Sequence, residues 1–199
     1  MMVNLDFAKS PLGGKRHGSL DKAVLLQEVP FTPGFDLRVD PESSGFAAVN
    51  QALGLTLIPN VGTVVRNNAS CIVGDELPAA GGVSALCLGP DWWYLTGTAD
   101  IAALMKPVQQ SHHISLVDVS SQRTKIEVYG PSAKDVLAHY WEQDLRDDHF
   151  PIDACSQGVL AKAPIIMWHC CENCYLIFPR ASFAKHLWTA LSDAAIEYL

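Results

Sequence analysis

The run His169-Cys170-Cys171-Glu172-Asn173-Cys174 carries the densest potential chemistry in the chain. Cys171 and Cys174 form a C-x-x-C, and thiolates with an imidazole could begin a tetrahedral zinc site or a redox pair. A closed zinc shell needs four ligands, and the sequence has no second C-x-x-C and no H-x-x-H; Cys71, Cys87 and Cys155 stand alone. A two-residue turn at Glu172-Asn173 sets Cys171 and Cys174 opposite one another without any ion. The sequence therefore assigns no metal ligand and reads these as cross-strand thiols.

His112-His113 precede an apolar run that contains Asp118, and a His with a carboxylate in one segment could serve acid–base chemistry. The commoner use of such an Asp is to cap a turn, and no nucleophile accompanies the set. Gly13-Gly14 and Gly81-Gly82 lack the Lys-Ser/Thr of a phosphate loop and the third glycine of a dinucleotide fingerprint. Trp92, Trp93 and Tyr94 sit on a strand, where one exposed indole would suit a protein interface; both rings packed inside is the competing reading. No catalytic or cofactor-binding residue is assigned.

Period-2 alternation predicts strands over 35–39 and 124–128; the apolar run 23–29 reads as a strand, 83–88 and 92–96 as strands around the Gly89-Pro90-Asp91 turn, and 159–168 as a long strand interrupted at Pro164. The apolar run 114–119 reads as a buried strand, and the stretch 60–82 as loop. Helices are predicted from Ser43 or Ser44 to a stop at Gly54, from Asp100 to Met105 before Pro107, after Gly130-Pro131-Ser132, and along Phe183, Leu187, Leu191 and Ala194. Both halves run strand, helix, antiparallel hairpin, helix. The expected class is α+β, with an N-terminal arm over 1–20 that orders only against something else and two similar halves, 21–108 and 109–199, packed as one body.

Composition narrows the function classes. With 49% hydrophobic and 18% charged residues the chain can bury a core. A net charge of -7 disfavours a nucleic-acid or anionic-membrane partner. No apolar run is long enough to span a bilayer and no signal peptide opens the chain, so a cytoplasmic location and reduced cysteines are expected.

Several strings carry a resemblance. Leu88-Gly89-Pro90-Asp91 before Trp92-Trp93-Tyr94-Leu95 resembles a hairpin of the gamma subunit of heterotetrameric sarcosine oxidase. LVDVSSQRTKIEVYGPSAKDVL, from Leu116 to Leu137, resembles that family's strand pair and following helix. Phe150-Pro151 before Ala154-Cys155, the stretch 163–168, Ser182-Phe183-Ala184 before Leu187-Trp188, Ser10-Pro11-Leu12, and Gly54-Leu55 leading to Pro59 match as well. Trp92 replaces the family's acidic residue, and Cys170, Cys171 and Cys174 lie outside its pattern.

The resemblance implies the folate-binding fold of glycine-cleavage aminomethyltransferase. It also implies a non-catalytic, assembly-promoting place beside alpha, beta and delta subunits. That complex demethylates sarcosine to glycine, yields hydrogen peroxide and passes a one-carbon unit to tetrahydrofolate. FAD, FMN, NAD and the folate would belong to the partner subunits, with no cofactor in this chain. The alternatives are a stand-alone folate or one-carbon-binding protein, and the same subunit role in a complex acting on another N-methyl amino acid.

Overall fold

The computed structural model describes residues 9–29, 31, 33–67 and 82–199. The first elements are β1 (Arg16–Gly18), β2 (Leu25–Val29), β3 (Gly34–Arg38), α1 (Ser44–Leu53), β4 (Val64–Arg66), β5 (Val83–Gly89), β6 (Trp92–Gly97) and α2 (Ile101–Ser111). Then come β7 (Ser115–Asp118), β8 (Lys125–Tyr129), α3 (Ala133–Ala138), β9 (Cys155–Leu160), β10 (Ala163–Cys171), β11 (Cys174–Pro179) and α4 (Ala184–Ala195).

They form two antiparallel sheets, ordered β1-β2-β8-β11-β10-β9 and β4-β5-β6-β3-β7. Within them lies one motif used twice. β3-α1-β4-β5-β6-α2 and β8-α3-β9-β10-β11-α4 follow the same element order, and their strands pair in the same order, β3-β6-β5-β4 and β8-β11-β10-β9. The strand before each motif crosses over: β2 pairs with β8, and β7 pairs with β3. Each sheet thus draws on both halves of the chain.

The apolar residues sort into three layers. Ile126, Val128, Tyr175, Ile177 and Met167 of the six-stranded sheet pack on Leu137 of α3 and on Leu187 and Leu191 of α4. Leu37, Ala85, Trp93 and Leu95 of the other sheet pack on Val49 of α1 and Met105 of α2. Between the sheets lie Val64, Leu86, Tyr94, Ile166, Trp168, Leu176 and Phe178, with the Tyr94 and Phe178 rings edge to face at 5.5 Å. Helices outside and sheets face to face leave both sheet surfaces covered.

The α+β repeat expected from sequence is present, with differences in detail. The 43–54 helix stops as expected, with Gly54 left-handed at φ 62° and its N–H on Asn50 and Gln51 carbonyls. Each expected hairpin is a three-strand meander. β4 lies in the stretch read as loop; the remaining punctuation there, residues 68–81, falls outside the described residues. The long strand over 159–168 is instead β9 and β10, broken at Ala161-Lys162 rather than at Pro164. Both turn residues have positive φ, 47° and 66°, the two-residue hairpin geometry that Asn-Gly usually signals. The His186 imidazole, from α4, hydrogen-bonds the Ala161 carbonyl at 2.7 Å and pins this turn.

α2 continues past Pro107 to Ser111, because Ile101, Met105 and Val108 make one buried face whose packing outweighs the lost backbone hydrogen bond. The run read as a buried strand, β7, is an exposed sheet edge with Val117 52% accessible. The opposite holds for β8: alternation suggested one wet face, yet Lys125, Ile126, Glu127 and Val128 are all buried, since its polar side faces the other sheet.

Of the arm expected over 1–20, the described residues 9–20 dock on the protein's own sheet rather than waiting for something else. β1 pairs with β2, and Glu28 accepts the amides of Leu12 (3.2 Å) and Gly14 (2.7 Å) and the Thr124 hydroxyl (2.7 Å). A buried carboxylate with three donors is stable there; the donors without it are not. Glu28→Ala is therefore expected to cost about 3 kcal/mol or more in urea unfolding, since each hydrogen bond to a charged group contributes roughly 1.5–3 kcal/mol. A loss well under 1 kcal/mol would show that the carboxylate does not hold the arm.

Candidate functional site: a buried polar cluster between the sheets

The β10–β11 hairpin turns at Glu172-Asn173 as the sequence predicts, with Asn173 at φ 58° and Cys171 directly paired with Cys174. Cys170 continues the alternation of Ile166 and Trp168 and lies on the same inter-sheet side as Cys174, and the ladder is bulged between His169 and Cys171. The sulfurs of Cys170, Cys171 and Cys174 lie within 4.8 Å of one another. Cys170 and Cys174 are buried thiols, whereas Cys171 is half-buried and disulfide-bonded. The expectation of reduced cysteines throughout fails at Cys171. A sulfur already bonded to sulfur offers no thiolate to an ion, so the cluster in this state presents two thiols.

Charged groups adjoin the thiols. The Cys174 thiol donates to Glu127 Oε1 at 3.5 Å, and Gln27 Nε2 donates to Glu127 Oε2 from the facing position on β2. Lys125 is buried with its ammonium 5.7 Å from the Phe178 ring centre and within electrostatic reach of Cys170 and Glu127. The thiol of Cys174 is held well above the usual range, first by its hydrogen bond with Cys170, then by burial and the Glu127 charge. Burial pulls Lys125 down to about 8 despite Glu127. Sequence reasoning missed Gln27, Lys125 and Glu127, since the Lys-Ile-Glu-Val alternation reads as a solvated face until the second sheet covers it.

The other sequence candidates are not brought together. Asp118 Oδ1 accepts the Ser120 amide (2.9 Å) and hydroxyl (2.6 Å), capping the β7–β8 turn. His112 and His113 precede the opposite end of β7, about 15 Å away for a strand rising roughly 3.3 Å per residue. Gly13 and Gly14 form the left-handed turn that offers the Gly14 amide to Glu28, and the Gly82 amide is taken by the Thr98 hydroxyl.

The two readings of the indoles divide between the rings. Trp93 is buried on Phe46 with ring centres 5.6 Å apart. Trp92 is half-buried, donates to Asp36 at 3.1 Å and lies beneath the Arg38 guanidinium at 4.7 Å. An open depression beside α1 is lined by Asn50, Arg66 and Asn67, but these side chains are committed: Asn50 to the Leu57 amide, Asn67 to Leu53 and Val83, Arg66 to Asp153 at 3.1 Å.

Two helix-backed antiparallel sheets, built from one motif used twice, define an α+β fold shared with glycine cleavage system aminomethyltransferase T from Bartonella henselae. That superposition has a TM-score of 0.62 over 94% of this chain and 57% of that one, at 11% identity. The chain belongs to the sarcosine oxidase gamma subunit family, whose model matches residues 38–197. It is 31% identical to the sarcosine oxidase subunit gamma of Corynebacterium sp. (strain P-1), over 91% of this chain and 84% of that protein. It also superposes on a chain of the heterotetrameric sarcosine oxidase from Corynebacterium sp. U-96, with a TM-score of 0.79 over 96% of each chain at 30% identity.

The buried lysine makes stability pH-dependent. Between about pH 8 and its ordinary 10.5 the unfolded chain holds a proton on Lys125 that the folded chain has released. Stability therefore rises with pH across that window, and below 8 the fold bears the full cost of the buried charge. Unfolding curves of the wild type and Lys125→Met should diverge there, with only the wild type gaining. Parallel curves would mean that Lys125 titrates as an exposed lysine does.

Proposed function

We propose that this chain is the gamma subunit of a heterotetrameric, flavin-dependent sarcosine oxidase and that it acts by holding that assembly together. The observation that carries the reading is the superposition on a chain of such an enzyme over 96% of each partner. The pair that the sequence offered for acid–base chemistry fits the same reading: Asp118 caps a turn, and His112 and His113 lie at the opposite end of β7. In this reading the chain contacts alpha, beta and delta subunits. FAD, FMN, NAD and tetrahydrofolate are bound by those partners, and the complex works in the cytoplasm. There it converts sarcosine to glycine and hydrogen peroxide, handing the one-carbon unit to the folate.

Native co-purification from the source cells, with mass identification of the partners and a visible spectrum, tests this directly. The expected result is a yellow complex in which flavin travels with the larger chains, and removal of this chain lowers the yield of assembled enzyme. The isolated chain is expected to show no sarcosine-dependent peroxide release. Turnover by the chain alone would refute the subunit role. Micromolar binding of a reduced folate by a partner-free chain would favour the stand-alone one-carbon-binding alternative. Assembly with activity confined to another N-methyl amino acid would keep the role and change the substrate.

A further inference from the structure

We propose that one end of the six-stranded sheet, centred on Arg123, Arg180 and Lys185, is the surface on which this chain docks an acidic segment of a larger subunit. The inference deepens the subunit reading and rests on it. Arg123 and Arg180 face each other across an isolated antiparallel bridge, just ahead of β8 and just after β11. Lys185 stands in the first turn of α4, and its neighbour His186 holds the turn that carries Lys162. Lys15 joins from the other side, its carbonyl taking the Glu28 amide. From β1 to β10 is four strand spacings of about 4.8 Å, so these cations line an end roughly 19 Å wide. Lys15, Lys162, Arg180 and Lys185 are exposed, and Arg123 is half-buried.

Several local choices here work against the isolated fold. Like charges directly opposite one another destabilise a strand pair. α4 has no side-chain cap and no acidic residue in its first turn, where Lys185 opposes the helix dipole. Arg38, Lys134 and Arg146 are each paired with an aspartate, yet none of these five cations forms an ion pair among the described residues. Glu28, Asp36 and Asp118, on the strands and turn that adjoin Arg123, are committed to the Leu12 and Gly14 amides, the Trp92 indole and the Ser120 amide. This end therefore keeps an excess of positive charge in a chain whose net charge is -7. Broken local rules are expected where function repays them. An acidic segment does so: it neutralises the arginine pair, meets the start of α4 and covers Phe183, whose ring is 37% accessible. Arginine and aromatic side chains are the types that anchor interfaces. A single small anion cannot span such a width, and the chain's overall charge repels a nucleic acid.

The test compares the isolated full chain with the purified complex by brief lysine acetylation and peptide mass spectrometry. Lys162 and Lys185 are expected to react several-fold more slowly in the complex, and zero-length carbodiimide coupling should join them to Asp or Glu of a larger subunit. Replacing Arg180→Glu together with Lys185→Glu should weaken assembly at least about tenfold, because like charges then meet across the interface. The same change should flatten the salt dependence of assembly. The isolated variant should unfold no more easily than the wild type, since Arg123 gains a facing carboxylate; a purely structural role predicts the reverse. Lys162 and Lys185 unprotected in an intact wild-type complex overturn the proposal and leave the subunit reading standing, a result that needs no variant to fold. Unchanged assembly and salt dependence in the folded variant do the same. Protection of these lysines by RNA or anionic vesicles, with none in the complex, overturns it in favour of those anions. A wild-type chain that enters no complex overturns the subunit reading itself.

Discussion

The architecture depends on two strands that leave their own motif. β2 lies just ahead of one copy of the repeat and completes the sheet of the other, and β7 makes the reciprocal crossing. Because each sheet takes a strand from the other half, the two halves of the chain cannot separate without breaking ladder hydrogen bonds in both sheets. The apolar layer between them, from Val64 and Leu86 to Trp168 and Phe178, therefore stays closed. Burial of apolar surface at roughly 25 cal/mol per Å² supplies the driving force, and the crossings set where it can act.

A closed layer raises the cost of every polar atom inside it. Glu127 is wholly inaccessible yet receives Gln27 and the Cys174 thiol, and Glu28, on the same strand as Gln27, receives two amides and a hydroxyl. Arg66 bridges the sheets at the margin, paired with Asp153 and lying over Trp168, whose indole also donates to Asp153. Such groups are tolerated because each is matched; removing one member strands the other in a medium that solvates it poorly. The same low polarity lowers the proton affinity of Lys125 and adds to the hydrogen bond with Cys170 in raising that of Cys174.

Local rules recovered whatever local chemistry decides. Gly54 ends a helix, Glu172-Asn173 turns a hairpin, Asp118 caps its own loop, and the order of elements exposes the repeat. Features decided by distant partners stayed hidden. β4 is three residues that become a strand because β5 and the Thr63–Ala154 bridge flank it. The Ala161-Lys162 turn lacks glycine and asparagine, so its left-handed residues leave no mark in composition. The polar positions of β8 look solvated, and the apolar run of β7 looks buried, until one knows which sheet face and which edge each occupies. The cross-strand cysteines were readable; the carboxylate and ammonium beside them were not, because Gln27 meets Glu127 across 100 residues of chain.

That span matters while the protein is being made. β2 leaves the ribosome early with Leu25 and Leu26 ready to bury, yet β8 is still untranslated until residue 129 is joined. Strand pairing over so long an interval is slow and leaves hydrophobic surface open to wrong contacts. The nascent chain must keep that edge unattached through most of its translation, which places the hazard of misassembly in the first two-thirds of synthesis and makes the arrival of β8 the event that locks the two repeats into one body.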